Sequence, residues 1–151
     1  MNETEYREII ATAIEGEIEA YNFYKEASGR VADPFLKKMF AEFAEEEQRH
    51  QTMLENIRRQ TTFAGYFSSG TDFKVSETVD KPALSIDMKP ADAIALAMKK
   101  EEEAMVQYTE LAETCPDADK KKIFLDLAAM ERGHKLKMET AFVDIGYPEV
   151  W

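Results

Sequence analysis

The sequence is poor in the residues that build disulfides, tight turns and membrane spans. Its 151 residues include one cysteine, Cys115, so neither an intramolecular disulfide nor a Cys-x-x-Cys metal site can form. Only 6 glycines and 5 prolines are present, which is typical of long helices rather than of turn-rich β-proteins. No apolar run approaches the roughly 18 residues that a membrane-spanning helix needs. We therefore expect a helical protein without a membrane partner.

Basic charge is also scarce. The chain has 19 Lys and Arg against 30 Asp and Glu, for a net charge of −11. Nucleic-acid phosphates and anionic lipid surfaces both attract Lys and Arg, so this balance argues against either partner. The polar N-terminus lacks the basic start and apolar run of a secretory signal. Together with the single cysteine, this predicts a cytoplasmic protein.

Four segments show helical spacing of apolar residues, at about 3–28, 34–59, 90–114 and 118–145. Asp33-Pro34 and Pro116-Asp117 mark two short turns between them. Residues 61–89 contain Gly, Ser and Pro, which rule out a long helix there. Fully extended, this segment is long enough to run the length of a helical bundle. The pattern predicts one all-α domain over 1–151. It has two helical hairpins joined by a long crossover, as in a ferritin-like four-helix bundle.

The only two histidines lie in matching motifs, each a glutamate followed three residues later by a histidine. Glu47 precedes His50 in the second helix, and Glu131 precedes His134 in the fourth. Residues three apart share one helix face, and both pairs occupy positions that the apolar pattern assigns to the core. One such pair is weak evidence for metal ligands, because a buried Glu or His is more often a hydrogen-bonded core residue.

An internal repeat strengthens the interpretation, because a shift of 84 residues superposes the two halves. Glu17 and Glu47 lie about 14 and 15 residues on either side of the first turn, hence about 21 Å from it and at one level of the bundle. The second hairpin has the same spacing. The matched pairs are Glu17 with Glu101, Tyr24 with Tyr108, Glu47 with Glu131, and His50 with His134.

Four carboxylates and two imidazoles at one level of a bundle are costly without cations. Two carboxylates about 4 Å apart repel by roughly 4 kcal/mol even at an effective dielectric of 20. Two divalent ions would balance the charge, and mixed oxygen and nitrogen ligands suit iron or manganese, with zinc also able to bind. A bridged pair of ions, with Glu47 and Glu131 between them and Glu17 and Glu101 capping the ends, would use the whole set. The alternative is a set of hydrogen-bonded core groups, but buried charges need partners and these stripes offer few cations.

Several nearby residues leave open choices. Tyr24 and Tyr108 either orient carboxylates through hydrogen bonds or are simply core aromatics. The repeat favours Glu101 as the third-helix ligand, but its neighbours are alternatives by one residue. The other acidic neighbours are interpreted as solvated, and the methionines as core filler. The neighbours are Glu102 and Glu103 in the third helix, with Glu15, Glu19, Glu45 and Glu46 elsewhere; the methionines include Met130 and Met138.

With these motifs the sequence resembles the rubrerythrin branch of the ferritin-like di-iron carboxylate proteins over nearly the whole chain. The resemblance implies a di-iron centre that reacts with hydrogen peroxide or dioxygen, in oxidative-stress defence or iron handling. Full-length rubrerythrins usually add a rubredoxin-like Cys-x-x-Cys module, which one cysteine cannot form, so we expect a separate electron-donor protein. Ala104 stands where rubrerythrins typically carry an extra Glu, which leaves a symmetric set closer to bacterioferritin-type ferroxidase sites.

The expected function is therefore that of a di-iron peroxidase or ferroxidase. A non-catalytic iron-binding or iron-delivery protein is the alternative, supported by the missing electron-transfer module. Ferritin-like proteins often dimerise, so we expect a homodimer. Whether the long linker exchanges hairpins between two chains stays open.

Overall fold

Four long helices dominate the computed structural model, which describes residues 3–59 and 83–145. They are α1 (Glu3–Arg30), α2 (Pro34–Arg59), α3 (Pro90–Thr114) and α4 (Ala118–Ile145). These ranges contain no strand, and the predicted all-α, four-helix fold is confirmed. α1 ends at Arg30, two residues beyond the predicted end at about 28. The part of the predicted linker at 61–82 lies outside the described residues.

In each hairpin, one aspartate caps the start of the second helix. The backbone N–H of Leu36 donates to Oδ1 of Asp33 at 3.0 Å, and the N–H groups of Asp119 and Lys120 donate to Oδ1 of Asp117 at 2.9 and 3.0 Å. Each carboxylate thus satisfies amides that the first helical turn leaves unpaired. Because the connections are so short, α1 must pack antiparallel to α2, and α3 antiparallel to α4.

The core has two apolar clusters, one at each end of the bundle. One joins the end of α1 and the start of α2 to the start of α3 and the end of α4, with Phe40, Ile94 and Met138 fully buried. The other joins the opposite ends of the same helices. α2 therefore ends at the opposite end of the bundle from where α3 begins. Residues 83–89, directly before α3, lie against the first cluster, where Leu84 and Ile86 are buried.

A polar layer separates the two apolar clusters. Glu17, Glu47, Glu101 and Glu131 lie near the midpoints of α1, α2, α3 and α4 respectively, and each is at most 3% exposed. The apolar clusters above and below shield this layer from water along the bundle axis. Among the helices described, none has the length and apolarity needed to cross a membrane.

Candidate metal centre

All six predicted ligand side chains meet in the polar layer. They form two overlapping groups, within each of which one potential ligand atom per residue lies no more than 4.8 Å from the others. Both groups contain Glu47 and Glu131, so these carboxylates stand where bridging ligands would. Glu17 and His50 complete the first group, and Glu101 and His134 complete the second.

Both histidines direct the same ring nitrogen at the carboxylates. Nδ1 of His50 lies 3.0 Å from Oε1 of Glu131 and 3.4 Å from Oε2 of Glu17. Nδ1 of His134 lies 2.8 Å from Oε1 of Glu47. The two rings are nearly parallel, with 10° between their planes and 6.2 Å between their centroids. The arrangement follows the pseudo-symmetry that the sequence repeat predicts.

The chemistry of the donor set fits metal ions better than it fits a closed hydrogen-bond network. Oε2 of Glu17, Oε1 of Glu47, Oε2 of Glu101 and Nδ1 of His134 are buried and lack a hydrogen-bond partner. The 2.8 Å approach between His134 and Glu47 does not have hydrogen-bond alignment. Unpartnered buried donors and acceptors are rare and costly. Here their lone pairs converge on the same space, as the ligands of a cation do.

Two tyrosines hold the outer carboxylates by hydrogen bonds between α1 and α3. The hydroxyl of Tyr108 donates to Oε1 of Glu17 at 2.5 Å, and that of Tyr24 donates to Oε1 of Glu101. Burial, followed by the nearby carboxylate charges, raises the pKa of each tyrosine well above 10, so both hydroxyls stay protonated. Each carboxylate is fixed by one oxygen and keeps its other oxygen, Oε2, for the site.

Burial and crowding of charge change the pKa values of the site residues. Burial, with the adjacent negative charge of Glu47, raises the pKa of Glu101 to about 7. Burial alone would lower the pKa of His134, but the adjacent carboxylates of Glu101, Glu46 and Glu47 raise it to about 11. For Glu47 the two histidine contacts outweigh burial, and its pKa is lowered. The metal-free centre therefore holds a proton on His134 at neutral pH.

The choice among the three consecutive glutamates of α3 has a clear geometric answer. Glu101 is 3% exposed and faces the centre. The side chain of Glu102 is 55% exposed and lies 3.9 Å from Lys135, and Glu103 is only partly buried. Glu101 is the one member of this run that belongs to a metal-ligand group, the one completed by His134.

The sequence interpretation missed two residues behind the histidines. Glu46, expected to be solvated, is bonded through Oε2 to Nε2 of His134. Met130, expected to be core filler, is only partly buried, and its Sδ lies 3.0 Å from Nε2 of His50. Glu46 and Met130 occupy equivalent positions in the 84-residue repeat. Each directly precedes the glutamate of a Glu-x-x-His motif, but this place in the sequence does not indicate a contact with the other hairpin.

A cavity of about 390 Å³ reaches the centre between α1 and α3. All four buried carboxylates contribute to its lining, whereas neither histidine does. The cavity thus opens on the carboxylate side, and the histidines close the opposite side. Gly16 and Ala104 are small residues of this lining, and a Cβ atom added at Gly16 would meet nothing within 4 Å. The centre is accessible to small molecules from one direction.

The four-helix fold and the paired carboxylate–histidine groups together define a ferritin-like protein of the di-iron carboxylate type. The chain belongs to the rubrerythrin family, since the family model described as Rubrerythrin matches residues 8–141. The expected family and its ferritin-like fold are thus confirmed. A comparison with curated proteins gives no significant match.

Two solved structures have similar folds. A hypothetical protein from Pyrococcus furiosus is 28% identical with a TM-score of 0.69, over 90% of this chain and 87% of that one. A Thermotoga maritima structure, provisionally described as a ferritin-like diiron-carboxylate protein, is 21% identical with a TM-score of 0.69. That match covers 90% of this chain and 93% of the other. The second likeness concerns the fold alone.

Proposed function

We propose that this protein is a non-haem di-iron oxidoreductase that reacts with hydrogen peroxide or dioxygen. The observation that carries the proposal is the pair of ligand groups that share Glu47 and Glu131 beside an accessible cavity. Glu17, Glu47, His50 and Glu131 would hold one ion, and Glu47, Glu101, Glu131 and His134 the other. Two ferrous ions, when bound, supply the two electrons that reduce peroxide to water.

The chain's own residues would prepare the site for this chemistry. The tyrosine hydroxyls fix Glu17 and Glu101 before an ion arrives, which reduces the reorganisation that metal binding demands. Phe43 stacks on the ring of His134 with 4.2 Å between the ring centroids, and so restrains its orientation. The apolar clusters on both sides limit water to the cavity. Peroxide or dioxygen would therefore approach through the cavity, from the side opposite the histidines.

The proposal includes a separate electron donor, because the single cysteine of this chain cannot build a rubredoxin-like module. It also includes a cytoplasmic location and a homodimer. Peroxide reduction consumes two electrons and two protons per turnover, so the donor must return two electrons to the centre in each cycle.

Anaerobic loading followed by oxidation tests the proposal. Chelator-treated protein should bind about two ferrous ions per chain, and peroxide or oxygen should then oxidise them much faster than the same iron free in buffer, as followed by ferric absorbance in a stopped-flow instrument. Glu47→Gln should remove most of this reaction because it alters a bridging ligand, whereas the matched Glu45→Gln, at an exposed neighbour, should not.

The outcome also separates the two functional classes. Repeated turnover when a reductant is supplied supports an enzyme. Two tightly bound ferrous ions that resist both oxidants would contradict it, and would favour the iron-binding or iron-delivery alternative. Absence of metal binding in the parent and in Glu47→Gln alike would contradict both.

A further inference from the structure

The two halves of the centre differ behind the histidines. Nε2 of His134 is bonded to the carboxylate of Glu46, whereas Nε2 of His50 faces the thioether sulfur of Met130 at 3.0 Å. The six proposed ligands and the two tyrosines obey the 84-residue repeat. Glu46 and Met130 depart from it, and each contacts Nε2 of a histidine whose Nδ1 is a proposed metal ligand atom.

The chemical consequence follows from the histidine tautomer. A neutral imidazole that binds a metal through Nδ1 carries its proton on Nε2. A carboxylate that accepts this proton's hydrogen bond raises the basicity of the ring, and with it the affinity of Nδ1 for the metal. A thioether is a weak acceptor without charge. The negative charge of Glu46 also attracts the cation directly, and its side chain is only 23% exposed, so solvent screens it incompletely.

We propose that Glu46 makes the two metal positions unequal, so that the position formed with Glu101 and His134 fills before the one formed with Glu17 and His50. Glu46 is a positioning residue in this account, because it acts through His134. Exchange of such outer partners typically changes metal affinity by about 10- to 100-fold, and we expect a separation of that size between the two binding steps. The inference rests on the proposed metal centre.

Cobalt(II) is a suitable probe, because its absorption and its paramagnetic proton shifts report on the ligands without any turnover. Chelator-treated protein is titrated with cobalt(II) against a competing chelator, and the stepwise constants are fitted after correction for the protons that each step displaces. The parent should show two steps about 10- to 100-fold apart. Glu46→Gln should weaken the first step by that factor and bring the two steps together. The first equivalent should shift an Nε2–H proton signal that changes in Glu46→Gln.

Substitutions of Met130 test the same inference at the metal position formed with His50, which is expected to bind more weakly. Met130→Glu supplies the missing carboxylate behind His50 and should strengthen the second step. Because a charge at this partly buried position can impair folding, Met130→Gln supplies a neutral acceptor of similar size and should strengthen the same step by a smaller factor. Circular dichroism identifies the variants that fold.

A nearby control separates the hydrogen bond from the general effect of charge. Glu45→Gln removes one negative charge from the adjacent, exposed position, and should move both steps equally and by less than about threefold. Equal steps in the parent, or equal shifts of both steps in Glu46→Gln, would overturn the inference while leaving the metal centre intact. Failure of the parent to bind any cobalt would instead contradict the proposed function.

Discussion

Replacing Glu101 by glutamine should stabilise the metal-free protein while it damages the metal centre. Glu101 is 3% exposed and crowded by the charge of Glu47. An amide has nearly the same shape, and its oxygen can still accept the hydrogen bond that Tyr24 donates to Oε1. The substitution therefore removes a buried charge without opening a space.

The raised pKa gives the size of the effect. The pKa of Glu101 rises from the ordinary value of 4.5 to about 7, and each unit corresponds to about 1.4 kcal/mol. The ionised carboxylate thus destabilises the metal-free fold by about 3 kcal/mol above pH 7. Below pH 4.5 it is protonated in both the folded and unfolded states, and this cost disappears. Glu101→Gln should gain nothing near pH 4.5 and about 3 kcal/mol at pH 8.

Denaturation in the presence of a chelator measures this gain. For a domain of this size, about 3 kcal/mol corresponds to a rise in Tm of roughly 6–12 °C. Urea unfolding at pH 5 and pH 8 should show the gain mainly at pH 8. Glu102→Gln, at the exposed neighbour, serves as the control and should change stability by less than about 1 kcal/mol.

Loading with metal should reverse this order of stability, so that the parent becomes more stable than Glu101→Gln. Glu101→Gln loses an anionic ligand of the position formed with His134, so it should bind an ion weakly there and gain less stability from metal than the parent. A variant that is no more stable than the parent at pH 8, or equally stabilised at pH 5, would refute the argument that an uncompensated buried charge destabilises the empty centre.

Three further predictions concern the tyrosines, proton release and the cavity. Tyr108→Phe leaves Oε1 of Glu17 without its donor, and should lower metal affinity about 10-fold in a cobalt titration. Loading displaces protons from His134 and Glu101, whose pKa values are raised to about 11 and about 7. Calorimetric titration with metal in two buffers should therefore show that binding releases about two protons per chain at pH 6 and about one at pH 8. The affinity for metal should rise over the same pH range. Gly16→Leu should fit, because nothing lies within 4 Å of the added Cβ. It should stabilise α1 by about 0.5–1 kcal/mol and narrow the cavity, slowing oxidation by peroxide in stopped-flow experiments while the metal stoichiometry is unchanged.

The sequence was sufficient for the positions of the buried polar groups because helical periodicity is local. Glu17 and Glu101 fall within apolar stripes, and equal distances from each turn place them level with the Glu-x-x-His pairs. The repeat then selects Glu101 from its neighbours, and the structure has that residue facing inward. These predictions needed only the pitch of a helix and the antiparallel packing of a hairpin.

Contacts between the hairpins were not predictable in the same way. Tyr24 follows Glu17 by two turns, yet it bonds to Glu101 on the other hairpin. Glu46 lies beside the apolar stripe of α2 and would be exposed in an isolated hairpin; the approach of α4 brings His134 to it. Such pairings depend on how two hairpins rotate against each other, and periodicity within one helix carries no information about that rotation.

The sharing of ligands between hairpins makes the metal centre a mechanical connection as well as a reactive one. Close backbone approaches are concentrated within α1–α2 and within α3–α4. Each ion position takes three side chains from one hairpin and the fourth, Glu47 or Glu131, from the other. Because a ligand that binds only the folded state stabilises it, we expect bound metal to act as a cross-link that keeps the halves together. Protease resistance should then rise with each added equivalent of metal, so the supply of metal in the cell would govern how long each molecule survives.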